Sequence, residues 1–360
     1  QSFKTLSIVF VYVLLILMVI STIIGNSPLG DYLFITYFNA NEAMVNTISH
    51  TFNVIMFVLI FSGIRGMYQG IIINHLETKW LTVGVIVRLS IMFIVSYLFI
   101  IFELVSSMVG ALLFLIGMFI ECLVSVFKGH QLLKKMGRKD TIRLTKPTIL
   151  KFYIPLVFYF VFQTLMIPIV YVFIAKTDQV ELSIASFALA HSVSMLLLSF
   201  FMYTHQLVVQ FHQNDRRKMI RFMIVMSIVP SLLLAVICFT PTGDWFMGSI
   251  MGAEDELAQA TLSVLAFFIL KTIVFPWVDF LNGFLMLRRQ TKKMVISQAI
   301  NITIVVISLF FLTNSFPFLN GVNGAIAASL GEVAGLITVS IILMNSKRNN
   351  AKQKKVQLSG

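Results

Sequence analysis

Charge is the scarcest resource in this sequence: 12% of the 360 residues are Asp, Glu, Lys or Arg, about half of the roughly 25% a soluble globular chain carries. Ionised side chains are costly in hydrocarbon, so a chain this poor in them, with 58% apolar residues and a mean hydropathy of +0.92, has most of its length inside a bilayer. Cytosolic enzymes and disordered tails are excluded. Cysteine is nearly lacking as well. Cys122 and Cys238 both fall in apolar runs, so there is no disulfide framework and no cysteine metal site, and both read as small core residues. No HExxH, Walker sequence or close carboxylate pair occurs, which leaves ATP hydrolysis, metal chemistry and a bound cofactor without support. His205 and His212 stand seven apart, a weak metal signal on their own.

What the sequence does have is long apolar runs and an excess of basic charge. Ten stretches of about twenty residues are bounded by charge or turn residues: A 5–25, B 51–73, C 80–102, D 107–127, E 149–175, F 182–204, G 219–240, H 260–286, I 294–313 and J 322–345. Without water to satisfy their amides these must be helices, so the fold class is all-α and polytopic. The chain opens at Gln1, not Met, and its first apolar run is too long for a signal-peptide core, which suggests a fragment or processed product.

The net charge is +12, from 27 Lys and Arg against 15 Asp and Glu. In a soluble protein that balance would point to nucleic acid. Here it has a topological explanation. Outside the spans every Lys and Arg except Lys176 lands on one face, from Lys4 and Lys79 through the 128–151 cluster to Lys355. The opposite loops hold Asp31, Glu42, Glu103, Asp178, Glu181, Asp244 and Glu254 to Glu256. By the positive-inside rule both ends are cytoplasmic, the localisation is a multi-pass cell-membrane protein, and the partners are membrane lipid and no nucleic acid. The inner segment 128–148 reads as a basic linker, lipid-facing in preference to a nucleic-acid arm, between an N-terminal bundle, 1–127, and a C-terminal bundle, 149–346. Residues 347–360 form a basic tail.

The chain also repeats itself. One constant offset lays Pro28-Leu-Gly-Asp31-Tyr32 on Pro241-Thr-Gly-Asp244-Trp245, Gln69-Gly70 on Asn282-Gly283 and Thr78-Lys79 on Thr291-Lys292. One residue more lays Val109-Gly110-Ala111 on Asn323-Gly324-Ala325. Spans A to D therefore repeat as G to J in the same direction, which predicts halves related by a pseudo-twofold axis along the membrane normal, a transporter symmetry. Spans E and F precede the second repeat and have no counterpart before A, so two N-terminal helices are expected to be missing from a parent of twelve.

The polar-Gly turns followed by Thr-Lys, the basic central loop and the inferred 6+6 arrangement resemble the multidrug, oligosaccharidyl-lipid and polysaccharide exporter superfamily, which includes the MATE exporters and lipid-linked oligosaccharide flippases. Leu29-Gly30-Asp31-Tyr32, Phe152-Tyr153-Ile154-Pro155-Leu156 and Asn282-Gly283-Phe284-Leu285-Met286 with Arg288-Arg289 are most similar to its progressive ankylosis branch. The resemblance implies alternating access between two bundles, driven by an H+ or Na+ gradient or the membrane potential. It leaves the substrate open among drug-like cations, lipid-linked sugars and small anions.

Ionisable groups inside spans mark the candidate pathway, since each costs at least ~2.5 kcal/mol at the bilayer centre by insertion scales. They are Arg65, Arg88, Glu121, Lys271, Asp279 and Glu332. Asp279 stands about 13 Å up its helix from Arg288 at 1.5 Å per residue and aligns by the repeat with a neighbour of Arg65. Either the two face one another or a shared inner gate, or each pairs within its own half. Lys271 and Arg88 are deep cations that favour an anionic substrate. Glu121 and Glu332 sit on corresponding last helices, as protonation sites or structural partners. Gln163, Thr164 and His191 break apolar runs and either line the cavity or join helices, Asn282 belongs to the second inner turn, and Pro155 and Pro168 make span E the candidate bending element. The enzymatic alternative is a multispan transferase on lipid-linked substrates, with catalytic carboxylates or His at a membrane face.

Overall fold

A computed structural model describes residues 2–38, 42–104, 106–135, 145–199, 204–211 and 216–358. The basic linker positions 136–144 and His212 lie outside the described residues. Among the described residues the structure is all-helical: α1 Ser2–Asn26, α2 Pro28–Phe38, α3 Glu42–Ile55, α4 Phe57–Asn74, α5 Lys79–Ile101, α6 Ser107–Lys135, α7 Lys146–Ile174, α8 Val180–Ser199, α9 Thr204–Phe211, α10 Arg216–Phe239, α11 Thr242–Trp245, α12 Asp255–Leu287, α13 Thr291–Ser315 and α14 Val322–Leu358.

Ten helical stretches are long and apolar enough to cross a membrane, from Thr5–Asn26 to Val322–Ser346, and they fall on spans A to J. The protein is a multi-pass membrane protein. Its outer surface agrees: Phe93 is 76% exposed and Phe102 68%, aromatic rings that water would not leave uncovered but lipid does. Helices overrun the expected boundaries where nothing stops them. α6 continues to Lys135 and α14 to Leu358, with no proline in either extension. The outer connection after span A is also helical. Pro28 opens α2 at a position where a missing amide costs nothing.

The chain divides into two compact units, 1–149 and 150–360. In the first, α6 is the central helix, flanked by α3, α4 and α5. In the second, α12 packs on α8, α9, α10 and α14, and α13 lies along α14. The core of the second unit joins Val170, Phe187, Phe268, Leu265, Ala325 and Ala328, all buried.

The repeat is written in the backbone as well as in the sequence. α4 ends with Leu76 at φ 58°, and α12 ends with Arg289, its counterpart, at φ 55°. Beyond each, an amide reaches back to close a Schellman cap: Glu77 N–H donates to the Ile72 carbonyl at 3.1 Å, and Gln290 N–H to Leu285 at 2.8 Å. At the turns that follow α1 and α10, Gly30 N–H donates to Ser27 O at 2.8 Å and Gly243 N–H to Thr240 O at 3.0 Å. A Cβ on Gly30 would collide with the Ile24 carbonyl, and one on Gly243 with that of Ile237, which is why only glycine fits both turns.

Candidate functional site

Each unit contains a cluster of polar groups surrounded by apolar side chains. In the first unit the centre is Glu121 on α6, whose side chain is 3% exposed. Arg65 on α4 donates from NH1 to Glu121 Oε2 at 2.7 Å, and Arg88 on α5 donates from NH1 to the same oxygen at 3.0 Å. Gln69, one turn beyond Arg65, donates from Nε2 to Oε1 at 3.1 Å. Ser125, one turn beyond Glu121, donates back to the Glu121 carbonyl at 2.9 Å. Helical spacing thus places Arg65 and Gln69 on one face of α4 and Glu121 and Ser125 on one face of α6, while α5 contributes Arg88.

Small residues let the helices approach. Gly84 of α5 faces the Glu121 side chain, and a Cβ on Gly117 of α6 would strike the side chains of Met92 and Arg88. The Arg88 guanidinium also lies over the Phe114 ring, 5.2 Å from its centroid. Nearer the basic end, Lys128 pairs with Glu77 at 2.8 Å and covers the Trp80 ring at 5.0 Å.

The second unit holds its charges differently. Lys271 on α12 and Glu332 on α14 are 2% and 5% exposed, and each acts on the other electrostatically. Asn301 on α13 lies beside Glu332 and contributes to its electrostatic environment. The Lys271 ammonium sits 5.5 Å from the Phe268 centroid. His191 stacks on Phe187 at 6.0 Å and 5° and lies within reach of the Lys271 charge. Its Nδ1, like Asn301 Oδ1, is buried with no hydrogen-bond partner. By the repeat offset Asn301 corresponds to Arg88, so the two units place the same pair of helices around a last-helix carboxylate with different chemistry.

Asp279 does something else. It accepts from Thr204 Oγ1 at 3.0 Å and from the His205 backbone N–H at 2.9 Å, and it pairs with His205 Nδ1 at 3.0 Å. A carboxylate on the first amides of α9 is a capping arrangement with favourable dipole sign, so Asp279 anchors α9 to α12. Arg65 pairs with Glu121 and Asp279 bonds His205, each within its own unit. Asn282 donates to the Tyr159 hydroxyl at 3.3 Å, leaving its own Oδ1 unpartnered.

Gln163 and Thr164 are not drawn into these clusters by any hydrogen bond described. Thr164 is exposed and returns its hydroxyl to the Phe160 carbonyl at 3.0 Å, a common solution for a hydroxyl in a helix. α7 runs as one helix through Pro155 and Pro168. Sequence reasoning used Gln69 only as a turn marker of the repeat and did not single out Ser125, Asn301 or Tyr159, uncharged groups in apolar runs. The signal for the first two was there, one turn from a flagged charge on the same helix.

No family model matches the chain, and no curated protein matches its sequence. Among solved structures it is similar to a multidrug resistance MATE family transporter of the MOP superfamily in an outward-facing conformation, with a TM-score of 0.73 and 14% identity, over 95% of this chain and 78% of that one. The likeness is one of fold.

Proposed function

We propose that this protein is a secondary exporter or flippase that moves a small or amphipathic substrate across the cell membrane by alternating access between its two helical bundles, coupled to H+ or Na+. The observation that carries the reading is the fold, shared over nearly the whole chain with a transporter. The buried ionisable clusters on α4 to α6 and on α12 to α14 support it. Such groups in a membrane are expensive and are typical of ion and substrate pathways. Their basic members, Arg65, Arg88 and Lys271, favour an anionic group on the substrate. The short turn motifs favour the progressive ankylosis branch within the superfamily, and the basic loops favour cytoplasmic ends. The chain needs two compartments to act, not a catalytic centre.

The test is flux. The protein in proteoliposomes should accumulate substrate from a panel spanning a fluorescent organic cation, a radiolabelled small organic anion and inorganic phosphate, only while a proton or sodium gradient is imposed. Collapse of uptake by an ionophore supports coupling. Chemical conversion of a lipid-linked substrate in detergent, without sealed vesicles, would overturn the reading in favour of a transferase.

A further inference from the structure

The charges buried in the first unit do not balance. Arg65 and Arg88 both spend an NH1 on a single oxygen of Glu121, so two cations face one anion, while nearby Lys128 is matched by Glu77. The donors do not balance either. Nε of Arg65 and Nε of Arg88 are both buried and have no acceptor. Buried donors are nearly always paired, and an orphaned one commonly marks a missing water or ion. A surplus cation in apolar surroundings is costly until something neutralises it.

The second unit supplies the internal comparison. Where the repeat puts Arg88 in one unit it puts Asn301 in the other, and there the buried charged side chains are one lysine, Lys271, and one carboxylate, Glu332, close enough to act on each other electrostatically. Charge is balanced in that cluster. The surplus in the first unit comes from the guanidinium at the position that is an amide in the second.

We propose that Arg65 and Arg88 form an anion-binding site that holds one negative charge, either a free inorganic anion or an acidic group carried by the substrate. Glu121 is the fixed backing of the site. Its side chain is 3% exposed, whereas those of Arg65 and Arg88 are 23% and 20% exposed, so the arginines are the accessible part. Two guanidinium groups held by one carboxylate present further N–H donors in a planar fork suited to an oxyanion. Only the substrate-borne case rests on the transport reading above.

The site is tested by binding, without transport. Sodium chloride or sodium phosphate is titrated calorimetrically into the full chain in phosphatidylcholine nanodiscs, in a zwitterionic buffer of low ionic strength with no other added anion. Saturable binding at one anion per chain is expected. Glu121→Gln removes the backing charge and should tighten binding about tenfold or more, since one unit charge at contact distance outweighs a decade of affinity. Arg88→Gln leaves one cation against one carboxylate and should abolish binding, while Arg88→Lys, which keeps the charge, should retain it. Chloride and phosphate binding alike assigns the site to a free anion. Phosphate without chloride, displaced by an alkyl phosphate monoester that binds more tightly than inorganic phosphate, assigns it to the acidic group of a substrate, and a monoester that binds no better assigns it to a free oxyanion. Flat titrations in both wild type and Glu121→Gln, or binding unaffected by Arg88→Gln in folded protein, would overturn the proposal. Anion binding by a protein that moves nothing across vesicles would refute the transport reading and leave this site standing.

Discussion

Replacing Asp279 by alanine removes the acceptor for three donors at once: Thr204 Oγ1, the His205 amide and His205 Nδ1, all at 2.9 to 3.1 Å. The single Thr204 hydroxyl hydrogen can turn wholly to the Pro276 carbonyl at 3.0 Å, but the His205 amide loses its acceptor at the start of α9. Hydrogen bonds to a charged group contribute about 1.5–3 kcal/mol each. Asp279 and His205 side chains are 19% and 18% exposed, so water replaces part of the loss and about 2–4 kcal/mol is the expected total. That cost is local, falling on the docking of α9 against α12. Hydrogen exchange of a peptide covering 204–211, measured in nanodiscs, should speed up by about 30- to 1,000-fold, while the exchange of α13 stays unchanged. Asp279→Asn keeps one acceptor oxygen and should cost about 1 kcal/mol. Unchanged exchange of α9 in the alanine variant, together with loss of ion coupling already in the asparagine variant, would refute the anchoring role and make Asp279 a gate.

Lys271→Met and Glu332→Gln should each destabilise the second unit, because each leaves a buried charge without the opposite charge that acts on it, and the double variant should recover part of that loss; guanidinium-induced unfolding of the four proteins measures the cycle, and additive losses would show that the two charges are independent. Gly243→Ala drives a methyl group into the Ile237 carbonyl and should lower the unfolding midpoint, with Gly30→Ala acting in the same way in the first unit against Ile24. Trp80→Leu removes the ring beneath the Lys128 ammonium and should cost about 0.5–1 kcal/mol, read from the same unfolding curves.

The ten crossings were legible because the bilayer requires apolar length, and apolar length is visible residue by residue. The repeat was legible for a related reason: turns at the ends of spans need specific residues, and Gly30 and Gly243 hold their places because no side chain fits beneath the preceding carbonyl. Depth along a helix was readable too, which is how Arg65, Arg88 and Glu121 were all marked. Their convergence was not readable. Which faces of α4, α5 and α6 meet depends on the rotation of each helix about its axis, and in an apolar run with no water-facing side the pattern that reports rotation is weak. For the same reason Asp279 offered two partners by depth alone, and its bond to the start of α9 could not be foreseen. Asn301 and Tyr159 carry no charge, so nothing in an apolar run set them apart.

The proposed transport requires the two bundles to exchange access between the faces of the membrane, and double electron–electron resonance distances test that without knowing the substrate. In a protein with Cys122 and Cys238 replaced, one spin-label pair goes at the outer ends of α5 and α8, at Phe102 and Val180, and a second at the inner turns, at Leu76 and Lys292. Each pair should show two distance populations. Lowering the pH or adding sodium should shift them in opposite senses, the outer pair separating as the inner pair closes. A single distribution at both pairs, unmoved by either ion, would contradict alternating access.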